Sequence, residues 1–164
     1  MSVNINMEGL YTKDDPVYIL SDSDFVVSSS GAAKLNNDAF RGAGIIKAYA
    51  PWCPHCQDKV DDIKTLGRVL RDNKSYGVSI YVFNADGGGN MTKATEGGSP
   101  LIPGFPTLLF VDPDCNVTRL VNEGGEGVFS VPDAITALCK THKKLCDYKP
   151  TQTRQPQQRQ QRRG

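Results

Sequence analysis

Long hydrophobic runs are missing from this sequence. The longest uninterrupted apolar stretches, such as Leu108–Val111, are a few residues long, whereas a membrane-spanning helix needs about 20. The opening residues, MSVNINMEGLYTKDDP, contain no basic n-region and no apolar h-region, so they do not read as a secretory signal. No internal repeat is present. Cysteine is sparse and odd in number, five in 164 residues. At least one therefore has no intramolecular disulfide partner, and the count suits an intracellular protein better than a disulfide scaffold. Three glycosylation sequons, beginning at Asn73, Asn90 and Asn116, arise easily by chance in a chain that is not secreted. A strong charge of one sign is also missing, but the net +1 hides an asymmetry. Residues 151–164 hold four arginines and no acid, leaving the first 150 residues with 15 basic and 18 acidic side chains. That mild acidity argues against a nucleic-acid-binding core and confines any polyanion contact to the tail.

What is present is an alternation of short apolar segments, in a length that fits one well-buried domain. Val17–Leu20 is a β-branched run, followed by a Ser-rich stretch and an expected helix near Ala32–Phe40. Gly44–Ala50 reads as a buried strand. From Pro54, the residues Val60, Ile63, Leu66, Val69 and Leu70 recur at helical spacing. Val78–Phe83 and Thr107–Val111 read as strands. DPDCN at Asp112–Asn116 has hairpin-turn chemistry, with Val117–Val121 as the return strand. A final helix is expected from Pro132–Asp133 through Leu145. The pattern predicts an α/β fold, a central mixed sheet flanked by helices. Residues 1–16 read as an extension, 17–147 as the domain, and 148–164 as a Gln/Arg-rich tail too polar to fold.

The chemistry concentrates in AYAPWCPHC, residues 48–56. A structural zinc site would want a second CxxC or a Cys/His pair at ligand spacing. Cys139, His142 and Cys146 are the remaining candidates, and they continue a stripe with Ile135, Leu138 and Leu145 that reads as the core face of the last helix. No metal and no cofactor are expected. Within one helix, Cys139 and Cys146 stand about 10.5 Å apart, too far for a disulfide; only a helix ending near Lys144 would let them pair. Cys115, in the turn, reads as an exposed, incidental thiol. Cys53 and Cys56 differ because they fall between a strand and a helix. The helix start favours a thiolate at Cys53, and Cys56 lies on the same face at disulfide distance. One thiol can attack a partner's disulfide and the other resolve the mixed disulfide.

The segment GIIKAYAPWCPHC resembles the active-site strand and motif of the protein disulfide isomerases and thioredoxins. IPGFPTLLFVD, at Ile102–Asp112, resembles the strand that follows the family's cis-proline. The resemblance spans roughly Val17–Leu145. It implies a thioredoxin-like fold, Cys53 as nucleophile, Cys56 as resolving thiol and Pro106 as the cis-proline. It further implies that an extended client strand pairs beside Phe105, Pro106 and Thr107, and that Trp52 covers the site; the plain alternative for Trp52 is a core aromatic. The implied partners are client proteins with thiols or disulfides and a redox partner protein or small thiol.

Between the cysteines, Pro54 suits the first helical turn. A partly positive His55 stabilises a neighbouring thiolate, which makes the disulfide form the better oxidant. Cys-Pro-His-Cys is similar to the bacterial periplasmic disulfide oxidase and unlike the Gly-Pro pair of reductive thioredoxins. The reading is therefore disulfide formation or rearrangement. A reductase, or a binding module that uses its basic tail, are the alternatives. Two departures stand out. Lys47 occupies the place where the family has a buried acid, and the isomerases' arginine has no match in VNEGGEGV, Arg119 falling earlier, on the strand. The expected location is cytoplasmic, and a virion assembled in the cytoplasm is one setting that such chemistry would serve.

Overall fold

A computed structural model describes residues 9–148. The expected tail beyond Tyr148 and the first eight residues lie outside the described residues. Strands β1 (Tyr18–Leu20), β2 (Phe25–Val27), β3 (Ala33–Leu35), β4 (Gly44–Tyr49), β5 (Ser79–Asn84), β8 (Thr107–Val111) and β9 (Asn116–Arg119) form one sheet in the order β1-β5-β4-β8-β9-β3-β2. Two-residue strands β6 (Thr95–Glu96) and β7 (Ser99–Pro100) form a separate hairpin. The β1-β5-β4 pairs are parallel and the remaining pairs of the large sheet antiparallel, which makes the sheet mixed.

Strand periodicity splits the interior in two. Along β4, Ile45 and Tyr49 face one apolar cluster, and Ile46 and Ala48 face the other. The first cluster is roofed by α1 (Pro54–Asp58), α2 (Val60–Asp72) and α3 (Val131–Leu138). The helical spacing read from the sequence is realised in α2, where Ile63, Leu66 and Leu70 are buried. Leu10 and Tyr11 also pack on this cluster, so residues that read as extension belong to the folded body. Gly67 lets α2 approach the chain closely, because a Cβ there would run into the Pro16 carbonyl oxygen. Gly67→Ala is therefore expected to destabilise by about 1–3 kcal/mol through overpacking, not to gain the usual helix propensity. Urea unfolding measures it, and unchanged or raised stability would show that the contact yields freely.

Three expectations need correction. The helix near Ala32–Phe40 is instead β3 followed by a 3-10 turn at Asn37–Ala39. Ser28–Ala32 forms the turn of a β2–β3 hairpin, with Gly31 at φ +93°, and Ala33 and Leu35 alternate inward to pair with β9 and β2. Sheet pairing outweighs the local helix propensity of AAKL. The second sheet face is covered by the 3-10 turn Asn90–Lys93 and the chain through Leu101, with Met91, Ala94 and Leu101 buried.

The last helix ends at Leu138, not Leu145. Thr141 and His142 N–H groups close a turn on the Leu138 carbonyl, and a 3-10 segment Lys143–Asp147 returns a fully buried Leu145 to the core. This turn brings Cys139 and Cys146 to a Cα separation of 5.0 Å, and they form a disulfide. Cys115 is buried, not exposed, with its Sγ 3.5 Å from Asn37 Oδ1 and a left-handed φ of +72°. Among the described residues, no helix is long and apolar enough to cross a membrane.

Candidate active site

The buried β4 strand ends at Tyr49, and a tight turn from Ala50 to Cys53 (Cys53 N–H to Ala50 O, 3.1 Å) swings the chain into α1. Cys53 is the N-cap of α1, and Pro54 occupies the first turn, where no N–H is needed. The Cys56 N–H donates to Cys53 Sγ at 3.2 Å, so the sulfur takes the place of a capping oxygen. Both cysteines are free. Cys53 retains 4% exposure while Cys56 has none, so only one of the two can meet a macromolecule.

Opposite them, β8 begins after a cis Phe105–Pro106 bond, in agreement with the expectation for Pro106. Thr107 is buried, its Oγ1 donating to Gly104 O at 2.6 Å, and it pairs with Ala48 of β4. This pairing brings the Phe105 carbonyl oxygen to 3.6 Å from Cys53 Sγ. The Cys53 sulfur and the Phe105 backbone carbonyl thus share one rim. Trp52 is 55% exposed, so it is not a core aromatic. It meets Phe105 edge-on at 5.9 Å, and its indole N–H donates to Asp86 Oδ1 at 3.0 Å. His55 is exposed on α1, with no hydrogen bond to either cysteine among the described residues. Arg119 lies in β9 with its backbone N–H on Glu96 Oε1 at 2.8 Å, and no described contact joins it to the cysteines.

Beneath the pair sits Lys47, 1% exposed. Strand alternation aims it at the helical side, and its Nζ donates to the Tyr11 hydroxyl at 2.7 Å and to the Cys56 carbonyl at 2.9 Å. The Tyr11 and Tyr49 rings lie 5.1 and 5.9 Å from the ammonium, and the two rings meet edge-on. Burial lowers the Lys47 ammonium to about 8, while the neighbouring cysteines oppose that fall. Burial, reinforced by the hydrogen bond with Cys53, pushes the Cys56 thiol up to about 11, and Lys47 pulls it the other way. Burial also raises the Tyr11 phenol well beyond its usual range, with Tyr49 adding to the effect. Sequence reasoning missed Tyr11; the one available signal was a large aromatic isolated in a polar segment. It missed Asp86 too, which reads there as ordinary loop.

These shifts have opposite signs in stability. Between the folded value of about 8 and the ordinary 10.5, an unfolded Lys47 binds more protons than the folded one, so stability rises with pH. Cys56 acts oppositely between 9.0 and about 11, where only the unfolded thiol ionises. From pH 8 to 9, Lys47 therefore acts first, adding on the order of 1 kcal/mol. Urea titrations at the two pH values should show that gain and its loss in Lys47→Met; an equal gain in the variant would place its source elsewhere.

The chain is similar to proteins of known family. The chain is 28% identical over 134 residues to mouse protein disulfide-isomerase A6, and 31% identical over 133 residues to the Caenorhabditis elegans A6 homolog. It carries a thioredoxin-like domain of the protein disulfide-isomerase type. The matches cover 80% of this chain but 26% of either relative, so the chain spans about a quarter of the length of the relatives it matches. No family model matches. Among solved structures, the first thioredoxin domain of mouse protein disulfide-isomerase A4 superposes with a TM-score of 0.42 at 18% identity, covering 87% of this chain and 91% of that one. Within this thioredoxin-like domain the cysteines, the cis-proline and Trp52 stand together on one rim. Lys47 stands directly below them.

Proposed function

We propose that this thioredoxin-like domain is a thiol–disulfide oxidoreductase that forms or rearranges disulfides in client proteins through Cys53 and Cys56. The observation that carries the reading is the Cys53 sulfur, 3.6 Å from the carbonyl oxygen preceding the cis-proline and accepting the backbone N–H of Cys56, whose own thiol is buried. An extended client segment pairs with the Phe105 backbone and presents its sulfur to Cys53. In the reducing direction the Cys53 thiolate attacks one client sulfur, and the other client sulfur leaves as a thiolate. Cys56 gives its proton to the neutral Lys47 amine and attacks the Cys53 sulfur. The client's second thiolate is released, and two electrons remain with the client as the Cys53–Cys56 disulfide forms. Oxidation of a client is the same sequence reversed, and a redox partner protein or small thiol restores the starting state.

The Pro54–His55 pair favours the oxidising direction. The measurement that tests the whole reading is the reduction potential of Cys53/Cys56 alongside turnover on a disulfide-bearing peptide. A value nearer −180 than −270 mV, the rough range separating isomerases from thioredoxins, supports disulfide formation or rearrangement; one near −270 mV makes the domain a reductase. Absence of turnover leaves a binding module. His55→Pro should lower the potential by roughly 30 mV or more; an unmoved potential would assign the poise to the helix terminus alone. Contact of the basic tail with a polyanion stays part of this reading. The Cys139–Cys146 disulfide supports action in an oxidising compartment over the cytoplasm.

A further inference from the structure

At the end of the sheet opposite the cysteines, around the starts of β4 and β5, lies a cleft of about 500 Å³. Six residues of β4, about 16 Å of strand, separate it from the redox end. Its rim carries Lys13, Arg41, Arg71 and Lys74 against a single carboxylate, Asp15, and that carboxylate is engaged by Lys64 at 3.2 Å. The first 150 residues hold more acids than bases, 18 to 15, so four cations around one hollow are a concentration of positive charge on an otherwise acidic body. A concave site with low-dielectric walls focuses that field.

The rim is partly set in place. The Arg41 Nη1 donates to the Asp38 and Phe40 carbonyls at 2.9 Å each, which fixes the guanidinium and leaves its remaining donors for a ligand. Arg71 reaches only an exposed partner, Asp72, at 3.4 Å. Lys13 and Lys74 form no ion pair among the described residues. The floor is apolar, made by Leu70, Val78 and Ile80, and Tyr18, 43% exposed, stands on one side.

We infer that this cleft binds a small phosphorylated organic molecule of the nucleotide class. The cationic rim takes the phosphates, with Arg41 and Arg71 suited to paired oxygens. Tyr18 and the apolar floor take the ring. The volume falls within the range that encloses a small ligand, and a concave pocket with an aromatic wall suits such a molecule better than it suits the surface of a nucleic acid or an acidic protein. The site is separate from the cysteines and does not depend on the redox reading.

The test is calorimetric titration of the full chain with ATP, with inorganic pyrophosphate and with adenosine. ATP should bind saturably, weaken as salt rises, and bind about tenfold or more tighter than either fragment. The Lys13→Glu/Lys74→Glu variant, altered at two exposed positions, should lose about tenfold or more in ATP affinity while keeping wild-type thiol turnover. ATP-induced amide shifts should cluster at Tyr18, Val78 and Ser79. The inference is overturned if ATP does not saturate, if pyrophosphate binds as tightly as ATP, or if the double variant binds ATP like the wild type. Circular dichroism of the variant guards against misfolding, and Arg71→Gln, expected to weaken ATP in the same direction, provides the second test.

Discussion

Cys56→Ala protein mixed with a disulfide-bearing client accumulates a covalent complex that a dithiol reductant dissolves, whereas Cys53→Ala protein accumulates none. The asymmetry follows from position. Cys53 is the cysteine with residual exposure and with its sulfur beside the Phe105 carbonyl, where an extended client would lie; Cys56 has zero exposure. A sulfur without access cannot attack a macromolecule, but it can attack a mixed disulfide already formed at the helix start. Removing Cys56 deletes the resolving step alone. Removing Cys53 deletes the step before it and also the acceptor of the Cys56 N–H. Multiple-turnover activity should fall by about 10²-fold or more in both variants, so activity alone does not distinguish the roles. Trapping does, read on non-reducing gels after alkylation. Equal trapping by both variants, or by neither, would reverse or abolish the assignment.

The second large effect is expected at Lys47. A thiol held up to about 11 is almost wholly protonated at neutral pH, so resolution depends on something that takes its proton. An amine lowered to about 8 is neutral in a useful fraction of molecules, and general bases of this kind contribute typically 10²–10⁴-fold. Lys47→Met should therefore slow decay of a preformed mixed disulfide by about 10²-fold. Single-turnover release of a fluorescent client measures it. In the wild type the rate should climb as Lys47 loses its proton through about pH 8, and in Lys47→Met that limb should vanish. Methionine fills the same space without a buried charge, so the fold should not weaken at pH 7, which separates lost chemistry from lost structure. Lys47→Glu should keep most of the rate, because a carboxylate can accept the same proton. Tyr11→Phe removes one of the two acceptors around the ammonium, disfavours the charged form, and should move the limb to lower pH. A Lys47→Met rate and pH profile that match the wild type would remove the lysine from the mechanism.

Much of this protein was legible along the chain because short-range rules governed it. A buried β-branched strand, a turn and a helix opening with Cys-Pro-His-Cys needed only periodicity and capping, and α2 declared itself by spacing. The hairpin turn before β9 was likewise a matter of local turn chemistry. Tertiary structure decided what depends on partners far away in sequence. Ala33–Leu35 became a strand because β9 and β2 offered edges on either side. The last helix stopped at Leu138 because a turn there both closes the Cys139–Cys146 disulfide and returns Leu145 to the core. Cys115, a turn residue, was buried by the packing of the 3-10 turn that holds Asn37. Most consequential, Tyr11 meets Lys47 across 36 residues of sequence. Burial, already expected for the β4 strand, makes that lysine a base beneath a buried thiol; the Tyr11 contact, which holds the ammonium and opposes its loss of a proton, was not visible in the order of residues.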